Sequence, residues 1–205
     1  MLTSRTILLA GFCSQLLCLG IARFAYTPLL ALMQAEGLDP RWGGFLASIN
    51  YAGYVTGALI AISLSNWRYK WRCYRFGLIL AVISTFGMAV SHSLPALALW
   101  RFIAGLSAAA SMLLASGLIM QHLRQRGLKP ELGLHFAGLG LGIVLVAFCS
   151  ELMSQYNLAS PSQWLLFAAL AFFLLVPAWL GLPVVEVAPG EKISVNAEPL
   201  PRAFY

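Results

Sequence analysis

Two arginines set among apolar residues are the groups in this chain best suited to chemistry. Arg23 stands in Gly20-Ile21-Ala22-Arg23-Phe24-Ala25-Tyr26-Thr27-Pro28, with no charge from Thr6 to Ala22 and none after it until Glu36. Arg101 opens Arg101-Phe102-Ile103-Ala104-Gly105 and ends a run free of Asp, Glu, Lys and Arg that begins at Phe76. A guanidinium in hydrocarbon costs roughly 3 to over 10 kcal/mol, so it is kept where it faces a polar cavity or a partner. Its planar fork of donors matches a carboxylate through two parallel bonds. The chemistry these residues suit is recognition of an anion. The competing reading is that both side chains snorkel to the interface or tie helices together.

Helical spacing adds further candidates. From Arg23, Gln15, Tyr26, Thr27 and Gln34 fall on one face of an ordinary α-helix. Gln15, Tyr26 and Thr27 are therefore candidate substrate contacts. In the next apolar run Asn50, Tyr54 and Gly57 share a face and Tyr51 lies beside it. Asn50 and Tyr54 are secondary candidates, since a tyrosine in such a helix also serves as an interfacial anchor. Gly105 and Ala109, and again Gly138 and Gly142, stand four apart, the spacing that lets another helix approach closely. These four are packing or flexing positions.

Other chemistries find less support. No Asp or Glu lies within an apolar run, and Glu151 stands near the end of one. His92, His122 and His135 fall near run ends and are read as surface groups, while Ser154, Ser160 and Ser162 are assigned to a loop. Leu114-Ala115-Ser116-Gly117 is similar to a serine-protease loop, but no histidine falls in the last apolar run to serve it. Cys13, Cys18 and Cys149 lie in apolar runs and Cys73 in a connecting loop, without CxxC or metal-like spacing, so they are read as reduced packing residues. No catalytic residue, metal or cofactor is expected.

The elements that position these residues must cross a bilayer. Of 205 residues 60% are hydrophobic and 10% charged, against about 25% charged in a typical soluble domain. Nucleic acid is not expected as a partner despite the net charge of +6, because where the charges lie matters more than their total. A hydrocarbon core of ~30 Å needs ~20 helical residues, and six runs qualify, at about 5–34, 42–65, 72–90, 94–120, 133–153 and 163–182. Ser91-His92-Ser93-Leu94-Pro95 divides the third from the fourth as a turn with proline at the new helix start. The expected architecture is all-α, a six-helix transmembrane bundle over residues 1–182. Residues 183–205, with Pro183, Pro189, Pro199 and Pro201, read as a flexible cytoplasmic tail resembling a linker.

Loop charges set the orientation. With the N-terminus inside, Arg5, Arg68, Lys70, Arg72, Arg75, Arg124, Arg126, Lys129, Lys192 and Arg202 are cytoplasmic and only Arg41 is outside, a strong positive-inside bias. Both termini are thus expected in the cytoplasm of a bacterial inner-membrane protein. The first run lacks a small-residue cleavage site and continues through Leu32, so it reads as a retained helix rather than a signal peptide. Arg101 lies about seven residues inside its outer end and Arg23 about eleven, or ~10 and ~16 Å at 1.5 Å per residue. They could share one level of the outer half-membrane.

The strings GIARFAYTPLLALMQ, ASINYAGYVTGALIA and RFIAGLSAAAS, with a basic second-to-third loop and a glycine-rich fifth run, resemble the N-terminal half of a major facilitator superfamily transporter of the bacterial YbfB/YjiJ-type group. The resemblance covers about Ile7 to Leu182. It implies that Arg101 to Ala109 match the fourth-helix arginine motif and that the glycines from Gly138 match the fifth-helix region. Two departures stand out: Ser65-Asn66-Trp67-Arg68-Tyr69-Lys70 replaces the usual aspartate-bearing loop, and the fifth run lacks the proline associated with drug antiport. The resemblance implies twelve spans in two bundles around a central site, so this chain is expected to be one half, needing a second copy or a separately encoded bundle. The reading is a secondary carrier of a small anionic solute, with lipid and solute as partners. The alternative is a noncatalytic membrane subunit or a nonfunctional remnant.

Overall fold

The computed structural model describes residues 3–129 and 131–185, and the tail expected over 183–205 lies outside the described residues from 186 onward. Six helices are long and apolar enough to cross a membrane: α1 Ser4–Ala35, α2 Pro40–Ser63, α3 Trp67–Val90, α4 Leu94–Gln125, α5 Gly133–Gln155 and α6 Ser160–Leu180. The architecture is an all-α six-helix membrane bundle consistent with half of a major facilitator unit. Local chemistry explains the starts. Thr3, Asp39 and Asn66 accept hydrogen bonds from the backbone N–H groups of Thr6, Arg41 and Arg68 at 3.2, 2.9 and 2.8 Å, satisfying donors that a helix start leaves free. Pro40, Pro95 and Pro161 stand in first turns, where the missing N–H costs nothing.

Helices α1 and α4 form the centre. Their most apolar windows are 67% and 61% buried, against 22% for both α2 and α5, which turn most of their surface outward. Helix α2 packs along α4, α5 along α1, and α3 against both α4 and α6. Two of these contacts are backbone on backbone. A methyl group on Gly105 would overlap the Asn50 carbonyl, one on Gly53 would overlap that of Phe102, and one on Gly57 would lie 2.7 Å from Ala109 Cβ. Across α1 and α5, a methyl on Gly138 would overlap the Phe12 carbonyl and one on Gly20 would sit 2.7 Å from Gly142 Cα.

Both central helices depart from the ordinary hydrogen-bond ladder. Wide π turns, closed i→i+5, run over Leu16–Phe24 in α1 and Ala110–Ala115 in α4. The second packs beside the first in the core, where Ser111 Oγ donates at 3.1 Å to Ser14 Oγ, just ahead of the first π segment, and Ser14 Oγ donates to the Gly11 carbonyl at 2.8 Å.

Several expectations about loops are corrected. Helix α3 starts at Trp67, so Arg68, Lys70, Arg72, Arg75 and Cys73 sit on its first turns and not in a connecting loop. Aromatic neighbours carry those charges: Lys70 lies over Trp67 at 4.6 Å, and Arg75 lies between Trp71 at 4.5 Å and Trp179 at 3.5 Å. Long basic stems cover apolar surface while their heads reach water, so charge did not end the helix. Ser154 and Ser160 belong to the bundle as well. Ser154 Oγ accepts from Gln163 Nε2 at 3.1 Å, and Ser160 donates its N–H to Glu36 Oε1 at 2.8 Å and its hydroxyl to Glu36 Oε2. The Glu36 carboxylate thereby faces the positive end of α6.

Candidate functional site

Arg101 stands in the second turn of α4, only 3% exposed. Its Nη1 donates to the Ala22 and Arg23 carbonyls at 3.3 and 3.2 Å, and its guanidinium carbon lies 4.2 Å from the centre of the Tyr26 ring. The sequence leaves one of these acceptors, the Arg23 carbonyl, without an i→i+5 donor. Pro28 has no N–H and cannot close an i→i+5 turn onto Arg23, and the π turns end at Phe24. One arginine side chain thus completes the backbone of the segment that carries the other.

The rest of the guanidinium is unspent. Of its five N–H groups, the described hydrogen bonds use only Nη1, and Nε is buried with no partner. Among the described residues no carboxylate pairs with Arg101 or with Arg23. Arg23 is instead partly exposed, with Tyr54, Tyr51 and Phe24 rings 4.7, 4.8 and 5.3 Å from its guanidinium carbon. Two cations sit near one another, each held by aromatic faces and neither neutralised.

The other candidates divide into positioning and separate sites. Asn50, 2% exposed, donates through Nδ2 to the Arg101 carbonyl at 2.8 Å, and Tyr26 donates its hydroxyl to the Gly43 carbonyl at 3.0 Å. Asn50 thus fixes the arginine pocket from α2, and Tyr26 fixes it from α1 through its bond to α2. Tyr54 stands at its edge, half-buried, and Thr27 is exposed. Gly105 and Ala109 face α2, while Gly138 and Gly142 face α1.

Gln15 does not join Arg23. The expected single polar face of α1 counted an ordinary helical period across Leu16–Phe24, and the π turns there hold more residues per turn. Gln15 is consequently turned into the core, fully buried, with Nε2 2.8 Å from His135 Nε2 and 3.8 Å from Met112 Sδ. Two histidines are likewise corrected from surface to interior. His135 is 0% and His122 7% exposed, the latter with Nε2 2.9 Å from the Pro183 carbonyl. His135 Nε2 is also 3.0 Å from Ser116 Oγ. That hydroxyl donates to the Met112 carbonyl at 2.6 Å, so its proton is committed away from the imidazole and the pair is not arranged to activate a nucleophile.

Sequence reasoning missed Gly53, Tyr51 and His135. Gly53 and Gly57 form a small-residue pair that could have been found from spacing alone, matching Gly105 and Ala109 across the contact. Tyr51 and His135 carry no such signal, because their roles depend on which helix lies opposite.

Residues 15–202 match the family model described as an uncharacterised MFS-type transporter, YbfB. No curated protein matches the chain.

Proposed function

Because the chain belongs to the YbfB-type family of major facilitator superfamily transporters, we propose that it is a six-helix bundle of a secondary carrier for a small anionic solute, bound by Arg101 with Arg23. The observation that carries this reading is a guanidinium 3% exposed and without an anionic partner. An uncompensated buried cation costs several kcal/mol, and a carboxylate on the free Nε and Nη2 edge would supply both the charge and a two-pronged acceptor. Tyr26 and Asn50 orient that edge, while Tyr51 and Tyr54 hold Arg23 at its mouth. Gln15, turned away toward α5, is not a solute contact in this proposal, and Thr27 lines the approach.

Nε is shut off from solvent here, so the solute enters when α1 and α2 part. In these carriers rocking of one bundle against another about a shared site alternates access, and here it would have to be accompanied by that parting within the bundle. The outward faces of α2 and α5, with Tyr51 58%, Val144 64% and Phe148 67% exposed, support a second six-helix bundle as the partner that completes the site.

The test is thermal unfolding of the purified chain against small carboxylates, phosphates and neutral solutes of similar size. A ligand at 100 times its Kd adds about 2.7 kcal/mol. Stabilisation by an anion in the parent and not in a folded Arg101→Lys variant supports the reading. Stabilisation by neutral solutes alone, or one that survives Arg101→Lys, rejects it. If no solute stabilises the lone bundle, the same panel is run on two bundles captured together by cross-linking engineered single cysteines in the membrane, and silence there favours a noncatalytic membrane subunit.

A further inference from the structure

On the outer side of the bundle, where α3 packs on α6, stands a third arginine that takes no part in the anion site. We propose that Arg75 and the apolar groove beside it seat one anionic phospholipid, with its phosphate on the Arg75 guanidinium and an acyl chain between α3 and α6.

The cation is held in a preformed slot with its donors unspent. Its guanidinium carbon lies 4.5 Å from the centre of the Trp71 ring and 3.5 Å from that of Trp179. Both walls are pinned: Trp71 Nε1 donates to the Leu182 carbonyl at 2.9 Å, and the Tyr74 hydroxyl donates at 2.9 Å to the carbonyl of Ala178, the residue before Trp179. Aromatic faces attract a guanidinium without consuming its N–H groups. Among the described residues Arg75 makes no hydrogen bond and meets no carboxylate, and its Nε is buried without a partner. The Nη groups are left for a ligand, and a phosphate offers them oxygens at the spacing of the arginine fork.

The groove begins one turn away. Ile79, four residues beyond Arg75, lines it together with Phe172, Leu175, Val176, Trp179 and Leu180, around about 340 Å³. Trp179 is therefore both a wall of the cation slot and a wall of the groove. At helical spacing past Ile79, α3 exposes Ile83, Phe86 and Val90, and in the other direction Arg72 and Arg68. One face of α3 thus passes from three arginines to apolar side chains along a helix long enough to cross a membrane. A phospholipid has the same order of head and tail.

Charge selects the occupant. Neither α3 nor α6 contains an Asp or Glu, so nothing on the two helices neutralises Arg68, Arg72 and Arg75. An anionic headgroup does so, whereas a zwitterionic one brings an ammonium of its own. Each basic residue at a membrane surface adds about 1 kcal/mol of attraction to anionic lipid. A second copy of the chain packed face to face here would set arginines against arginines.

The experiment is native mass spectrometry of the full chain in detergent with phosphatidylglycerol, with phosphatidylethanolamine of the same acyl chains, and with glycerol phosphate. One phosphatidylglycerol should stay bound in preference to phosphatidylethanolamine, and glycerol phosphate should not. Arg75→Gln should weaken phosphatidylglycerol about tenfold, or about 1.4 kcal/mol, and abolish the preference. Val176→Trp fills the exposed groove and leaves every arginine in place, so it should also lose the lipid, and it serves as the second variant should Arg75→Gln not fold. Arg126→Gln, an exposed cation just past α4 and outside the groove, should change nothing. Equal retention of the two lipids by the parent overturns the proposal, as does an equal loss from Arg75→Gln and Arg126→Gln, which would make the attraction diffuse. Glycerol phosphate held as tightly as the lipid would make this a site for soluble phosphate and reject the acyl seat. Dimers that form without retained lipid and are lost in Val176→Trp would give the groove to a second copy instead.

Discussion

Arg101 Nη1 lies 3.2 Å from the carbonyl oxygen of Arg23, so the two intramembrane arginines are joined side chain to main chain across α4 and α1. Through that bond, moving either residue displaces the other.

Replacing Arg101 by Gln should abolish anion stabilisation while leaving the unfolding free energy nearly unchanged. Two hydrogen bonds from a charged group are worth about 1.5–3 kcal/mol each, but their loss is offset by removing an unpaired charge whose burial costs several kcal/mol. Chemical unfolding in mixed micelles measures the balance. A loss well above about 4 kcal/mol would mean that Arg101 serves mainly to hold the helices together.

Gly105→Ala and Gly53→Ala should each destabilise the bundle, by at least the 1–3 kcal/mol typical of overpacking, because the added methyl overlaps a carbonyl of the facing helix. Gly44→Ala, which meets nothing within 4 Å, should be neutral. Equal behaviour of all three in an unfolding titration would contradict the packing described.

Tyr26→Phe keeps the ring over Arg101 and removes only the 3.0 Å bond to the Gly43 carbonyl, so it should cost about 1 kcal/mol and leave anion binding in place. Leucine at both Tyr51 and Tyr54 removes the faces that hold Arg23, at ~0.5–2 kcal/mol each. It should weaken anion binding without lowering stability by more than that sum. Reversed rankings in the same thermal assay would shift the binding role from Arg23 to Tyr26.

Reporter fusions after Arg41, Ser93 and Gln155 should be external, and those after Asn66, Arg126 and Glu198 internal. A swapped reading at either basic segment would reject the proposed orientation.

Much of the fold was legible because hydrocarbon imposes a length and a composition that any chain crossing it must show. The turn at Ser91 to Pro95 and the small-residue spacings of Gly105 with Ala109 and Gly138 with Gly142 were legible for similar reasons. The start of α3 was not, since Arg68 to Arg75 were counted as loop charges while their stems lie along aromatic rings. The polar face of α1 failed for a subtler cause. Its residues were placed with an ordinary period, and the π turns between Gln15 and Arg23 rotate one end relative to the other. His135 was placed by its distance from the end of a run, yet its burial is decided by α1 and α4, which sequence order puts far away.

The paired glycine contacts have a mechanical meaning. Interlocked side chains resist sliding, because ridges must climb out of grooves before one helix can pass another. Gly53 and Gly57 against Gly105 and Ala109, and Gly20 against Gly142, present backbone with few teeth. Like plain bearings, they set fewer ridges against a slide of α5 along α1 than interlocked side chains would, while between α2 and α4 the 2.8 Å bond from Asn50 to the Arg101 carbonyl acts as a catch.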